Sequence, residues 1–136
     1  MTDEPEHIAF RRWCSEREVL LSWEQLQAVE GKSFRARRMG QTYLKCLLTL
    51  FKLDKSDSFN VIYIVPQLGN YLENVKRVFD LVAPKVGITI HRTADQVLVA
   101  DIGQGPSFIK KAIHIKTHAQ LTVFHIPPDA IEIRDL

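Results

Sequence analysis

The feature that most restricts the fold of this chain is Phe59-Asn60-Val61-Ile62-Tyr63-Ile64-Val65-Pro66, an almost unbroken apolar run closed by proline. A strand with one wet face alternates; this run does not, which predicts a strand buried on both faces of a parallel sheet. Helical patterns flank it. Upstream, Tyr43 to Leu53 carries Leu44, Leu47, Leu48, Leu50 and Phe51 as a broad stripe at helical spacing. Downstream, a helix from roughly Leu68 to Ala83 places Leu72, Val75, Val78, Phe79 and Val82 on one side. With Lys32-Ser33-Phe34-Arg35-Ala36 as a short strand ahead of the first helix, the order becomes βαβα. That order predicts an α/β domain with right-handed crossovers.

Between the first expected strand and helix lies Ala36-Arg37-Arg38-Met39-Gly40-Gln41-Thr42. It reads as a phosphate-binding loop with glutamine in the lysine position. Such a loop needs glycine for close backbone approach to phosphate, lysine for the terminal phosphates and a hydroxyl for magnesium. Gly40 and Thr42 meet two of those needs. Gln41 can hydrogen-bond a phosphate oxygen, but it cannot supply the positive charge that phosphoryl transfer requires. Arg37, Arg38, Gly40, Gln41 and Thr42 are therefore the expected phosphate contacts, and no residue is assigned a catalytic role. Lys32, Arg35 and Lys45 extend a basic cluster around the loop, and Arg11, Arg12 and Arg17 form a second one. Either could face nucleic-acid phosphate or simply solvate the surface.

These residues give the chain a resemblance to the amino-terminal ATPase half of viral DNA-packaging motors, the large terminase subunits, and more distantly to helicase ATPase domains. Many terminases carry Arg-x-x-Gly-Lys-Thr, which Arg37-Arg38-Met39-Gly40-Gln41-Thr42 resembles except at Gln41. The strand and proline turn of Val61 to Pro66 are similar to the family's next element, and Trp23-Glu24-Gln25 is similar to its adenine-contacting glutamine. The likeness spans roughly Ser22 to Gly105. It implies a phosphate-loop-like three-layer sheet, ATP with magnesium as ligand, and an accessory role in a virus or mobile element. The acidic pair of such enzymes is the departure. Val97-Leu98-Val99-Ala100-Asp101 ends on an acid, yet Ile102 follows where glutamate is expected. By element order a better strand is Leu121 to Ile126, which carries His125 and Pro127 instead, with Asp129 and Glu132 beyond it. With no nuclease domain expected after residue 136, the resemblance implies a trimmed, catalytically silent relative.

At 136 residues the chain suits one domain, with a helical region over 1–30 and an α/β core over 31–136. The amino-terminal region reads as helical from about Glu4 to Val29 with a break near Ser22, which is placed to cap a second helix beginning at Trp23. Ile8, Trp13, Leu20, Leu21, Trp23 and Leu26 are its apolar anchors, with both tryptophans expected in the core. Were that stripe exposed, Trp13 with Arg11, Arg12 and Arg17 would form a partner-binding surface, because Trp and Arg are favoured interface anchors. After the second core helix the chain reads as β-rich. Ile88–Thr93 and Gln96–Asp101 form a hairpin, Phe108 to His114 a short helix or strand, Leu121 to Ile126 a strand, and Ile131 with Ile133 a last edge strand.

Formal charge is only +2, too mild to demand a nucleic-acid partner, so the partner class stays open between nucleic acid and a viral or host protein. Cys14 and Cys46 are far apart and lack metal-ligand spacing, which implies neither a zinc site nor a disulfide scaffold. The acidic start lacks a signal core and no stretch spans a membrane, so a cytoplasmic or virion-associated place without a membrane partner is expected. His114, His118 and His125 are read as ordinary strand or surface histidines rather than zinc ligands, and Gly103-Gln104-Gly105-Pro106-Ser107 as a turn rather than an anion cradle.

Overall fold

A computed structural model of the chain describes residues 4–29, 40–103 and 105–135. The chain forms a single α/β domain whose elements are α1 (Glu6–Glu16), α2 (Trp23–Val29), α3 (Gln41–Lys55), β1 (Asn60–Ile64), α4 (Asn70–Val82), a 3-10 turn (Ala83–Val86), β2 (Thr89–Ala94), β3 (Val97–Ile102), β4 (Ile109–Lys116), α5 (His118–Leu121) and β5 (Ile131–Arg134). The strand expected over Lys32–Ala36 lies outside the described residues.

The apolar run becomes β1, and its neighbours explain its composition. The sheet is mixed, in the order β2-β3-β4-β1-β5, with β1 parallel to both β4 and β5. β2, β3 and β4 form an antiparallel meander. Alternate residues of β1 leave the sheet on opposite sides. Val61 and Tyr63 enter a core shared with Leu98, Ala100, Ile113, Ile115 and Ile133. Tyr63 meets Phe79 of α4 edge to face at 5.5 Å and Cys46 of α3 at 3.9 Å, so both helices cover that side. Ile62 and Ile64, on the other side, are equally buried. There the β4–β5 connection does the covering: Phe124 packs on His114, the register partner of Ile62, with ring centroids 5.3 Å apart. The expected three-layer sheet is thus met in its coarse form, an α/β domain with a mixed sheet. Its large described helices α3 and α4 share one face.

α3 is the central helix. Seven of its residues are buried, and Phe51 receives Phe10 and Trp13 of α1 at 5.3 and 5.6 Å. Its C-terminal carbonyls meet the buried amine of Lys111, which donates to Leu53 O at 2.7 Å and Ser56 O at 2.9 Å. A cation at that end complements the helix dipole. Ser22 caps α2 as expected: its Oγ accepts from Gln25 N at 3.1 Å while Gln25 Oε1 accepts from Ser22 N at 2.8 Å, a reciprocal capping box.

Two expectations need correction. Leu121 to Ile126 is not a strand. Thr117 and Gln120 form another capping box, which starts α5, and residues 122–124 turn away. Both edges of β1 are already taken by β4 and β5, so no ladder is left for a strand there. Trp23 is not a core residue but is 69% exposed, because the seven-residue α2 turns Gln25 inward instead. Of the two alternatives open for Phe108 to His114 the strand is the one formed: β4 begins at Ile109 and runs on to Lys116.

Candidate functional site

The N-terminus of α3 meets two buried polar residues, Gln25 and Asp135. Gly40 precedes it with φ 82°, a left-handed conformation that favours glycine. A Cβ on Gly40 would also come within 2.7 Å of Gln25 Nε2, so that side-chain end would have to shift. That amide donates to Gly40 O at 3.2 Å, so Gln25 ties the start of α2 to the start of α3.

Gln41 and Thr42, the first two residues of α3, both reach Asp135. Gln41 Nε2 donates to Oδ1 at 3.1 Å and Thr42 Oγ1 to Oδ2 at 2.8 Å. Tyr63, the penultimate residue of β1, donates its hydroxyl to Oδ2 at 2.7 Å. Asp135 is itself fixed by its backbone. Its N–H donates to Ile64 O at 2.8 Å, extending the β1–β5 ladder by one residue, and its carbonyl accepts from Tyr71 OH at 3.1 Å. The carboxyl group is wholly buried. Gln41, Thr42 and Tyr63 are neutral donors, the first two at a helix N-terminus, where a negative group is favoured. Burial pushes the Tyr63 hydroxyl well above the ordinary tyrosine range, with Cys46 and Asp135 adding to the shift, so Tyr63 stays a donor at neutral pH. Burial likewise raises the Cys46 thiol.

Of the expected phosphate contacts, the structure brings together Gly40, Gln41 and Thr42. Arg37 and Arg38, with Lys32 and Arg35 of the surrounding cluster, lie outside the described residues. Lys45 is half-buried one turn into α3. The cluster of Arg11, Arg12 and Arg17 is dispersed among local partners. Arg12 makes a two-pronged contact with Glu4 at 2.6 and 2.8 Å, and Arg17 lies over the buried Trp13 ring at 4.5 Å. Arg11 is exposed beside Ser15 and Glu18 on a separate shallow groove. Trp13 takes the core alternative: it is 1% exposed, with its indole N–H on Asp54 Oδ2 at 2.8 Å. It offers no surface to a partner.

The acids considered from sequence fall elsewhere. Asp101 sits on antiparallel β3, between His91 Nε2 at 2.9 Å and Lys110 Nζ at 3.0 Å, and those hydrogen bonds hold its carboxyl below the usual range. Asp129 accepts from Phe59 N at 2.6 Å and Asn60 Nδ2 at 3.0 Å, at the opposite end of β1 from Thr42. Glu132 is exposed near Arg134. Sequence reasoning missed Asp135, Tyr63 and Tyr71. The alternation of Ile131 and Ile133 marked an edge strand, and the acid that ends it was the available signal for Asp135. Among the described residues no cluster of three potential metal ligands of the His, Cys, Asp or Glu type occurs. His114 instead lies 3.0 Å from Asn60 Oδ1.

Comparison of the chain with protein-family models, with curated proteins and with solved structures finds no match in any of the three.

Proposed function

We propose that this chain is a degenerate phosphate-loop-type domain that binds a phosphate-bearing ligand, nucleotide or nucleic acid, without hydrolysing it. One observation carries the reading: Thr42 Oγ1 and Asp135 Oδ2 meet at 2.8 Å across 93 residues of sequence, at the N-terminus of α3 and the C-terminal ends of parallel β1 and β5. In phosphate-loop enzymes a loop hydroxyl and a strand-end aspartate jointly hold magnesium. A hydroxyl and a carboxylate are the hard oxygen donors that this ion takes, so Thr42 and Asp135 fit the role by chemistry. Bound there, magnesium would supply charge neutralisation for phosphate oxygens. Gln41 leaves the lysine role unfilled, which supports binding without turnover. The viral or mobile-element setting rests on the sequence resemblance alone and belongs to the same proposal.

A second reading, an interaction module with no nucleotide ligand, draws support from the closure of the cluster. Asp135 has no exposure and both its oxygens already accept hydrogen bonds, so a ligand must displace existing contacts. Exposed Leu20 and Trp23, 90% and 69% accessible, fit the same reading.

Thermal stability with ATP, GTP or short DNA, each with and without magnesium, separates the two. A ligand at one hundred times its dissociation constant adds about 2.7 kcal/mol. The binding reading expects a magnesium-dependent rise that Thr42→Val abolishes. No rise with any ligand leaves the interaction module. Gln41→Lys should then strengthen nucleotide binding if the rest of the site is intact.

A further inference from the structure

We propose that the outer edge of β2, together with the groove beside it, takes up an extended segment of another protein as an added strand. β2 ends the sheet and pairs with β3 alone. Among the described residues no backbone hydrogen bond outside that ladder engages Thr89–Ala94, and all of these residues except Ile90 are exposed. An open edge is a row of unpaired N–H and C=O groups, and the group that satisfies it is another strand. The register with β3 is regular from Thr89 to Arg92 and shifts only between Arg92 and Ala94, which leaves a four-residue template.

Two features say what kind of strand fits. The first is a groove of about 430 Å³ along this edge, between the 3-10 turn and β2, walled by Ala83, Pro84, Ile88 and Ile90. Ile90 pairs with Ala100 and so points to the helical side of the sheet. Side chains in register on neighbouring strands share a face, so the incoming residue beside Ile90 enters the groove. Its walls call for an aliphatic side chain, and Leu81 of α4, 56% exposed, lies next in sequence to the Asp80 that lines it.

The second feature is charge. Asp80, on the groove, is already neutralised by Arg92. One helical turn earlier on α4, Arg77 is exposed and has no ion pair or hydrogen bond among the described residues. Beside the groove there is therefore a positive charge without an ion pair, one turn from Asp80 on the same helix, which an acidic residue of the partner would meet. A second copy of this chain is a poorer occupant, because its own edge, Thr89–Ala94, carries no acidic side chain to meet Arg77. The opposite edge strand β5 is exposed at Glu132 and Arg134.

The test is selection of a random decapeptide display library on the intact protein, followed by binding of the selected peptide in three forms: native, N-methylated at alternate backbone nitrogens, and with its acidic residue changed to lysine. The expected consensus alternates aliphatic residues and includes Asp or Glu. Binding of the native peptide should slow hydrogen exchange of the Thr89–Arg92 amides, and N-methylation of the edge-facing nitrogens should abolish binding. Arg77→Glu should weaken binding about fivefold, with the lysine peptide recovering it. Arg77 has no structural partner among the described residues, so that variant should keep the parent's thermal stability. Enrichment of no alternating pattern, equal binding of every N-methylated form, unchanged exchange at Thr89–Arg92, or dimerisation through β2 in sedimentation would each overturn the proposal.

Discussion

Two aspartates near the ends of strands in this molecule live in opposite surroundings. Asp101 closes the apolar run of β3 and lies between His91 and Lys110 on three adjacent strands, with its partners in solvent. Asp135 follows β5, an alternating strand, and is sealed among Gln41, Thr42 and Tyr63. The first is held by charge near water, where ion pairs are weak and screened by salt. The second is held by neutral hydrogen bonds in the core, where losing an acceptor leaves several donors unsatisfied. A polar residue's importance to this fold thus follows from what encloses it rather than from the residue type or the strand that presents it.

That contrast can be broken most forcefully by removing each carboxyl in turn. Asp135→Ala should destabilise the protein by about 3 kcal/mol, because Thr42, Tyr63 and Gln41 all lose their acceptor in a closed site. Asp101→Ala should shift the urea midpoint far less. Equal shifts would mean that the Asp135 site is wetter than its burial indicates.

A smaller effect is expected from the donors. Tyr63→Phe removes one of the three hydrogen bonds and should cost about 1 kcal/mol, and Thr42→Val a similar amount. Because the two share Oδ2, the double variant should depart from additivity. Additive losses would show that Asp135 does not couple them.

The pH response sharpens the charged half of the comparison. The folded-state pKa of Asp101 is depressed, first by its hydrogen bond to His91 and then by that to Lys110. Its contribution is therefore present above the unfolded carboxylate pKa, and is lost as pH falls through the lower folded value. Stability measured from neutral pH down into that acidic range should fall less steeply in Asp101→Asn, and raised salt should shrink the difference between variant and parent.

The smallest expected signal is chemical. Burial pushes the Cys14 thiol up to about 11, and Cys46 is wholly enclosed beside Tyr63. Neither should react with a thiol reagent at neutral pH until the protein unfolds. Fast labelling of Cys46 alone would reveal opening of the Asp135 cluster, since Tyr63 joins the two.

Much of the fold was legible because it is written in local periodicity. The stripe of Leu44, Leu47 and Leu50 specified α3, the run Val61–Val65 specified a strand with both faces covered, and Ser22 with Gln25 marked the start of α2. The β2–β3 hairpin was readable from its alternation, despite a turn without glycine. Thr117 and Gln120 carry an equally local cap, a signal hidden behind the apolar character of Leu121, Val123 and Ile126, which suggests a strand. Of the candidate site, Gly40, Gln41 and Thr42 were legible as a loop leading into a helix, while their partner was not.

Sequence alone therefore determined where α3, α4, β1 and the hairpin lie, because side-chain period and capping act over a few residues. Tertiary structure alone decided that β5 lies beside β1, that Asp135 closes the N-terminus of α3 from 93 residues away, and that Trp23 faces solvent while Trp13 does not. Those outcomes depend on which strand edges and helix faces are already occupied, and occupancy is a property of the assembled sheet rather than of any segment within it.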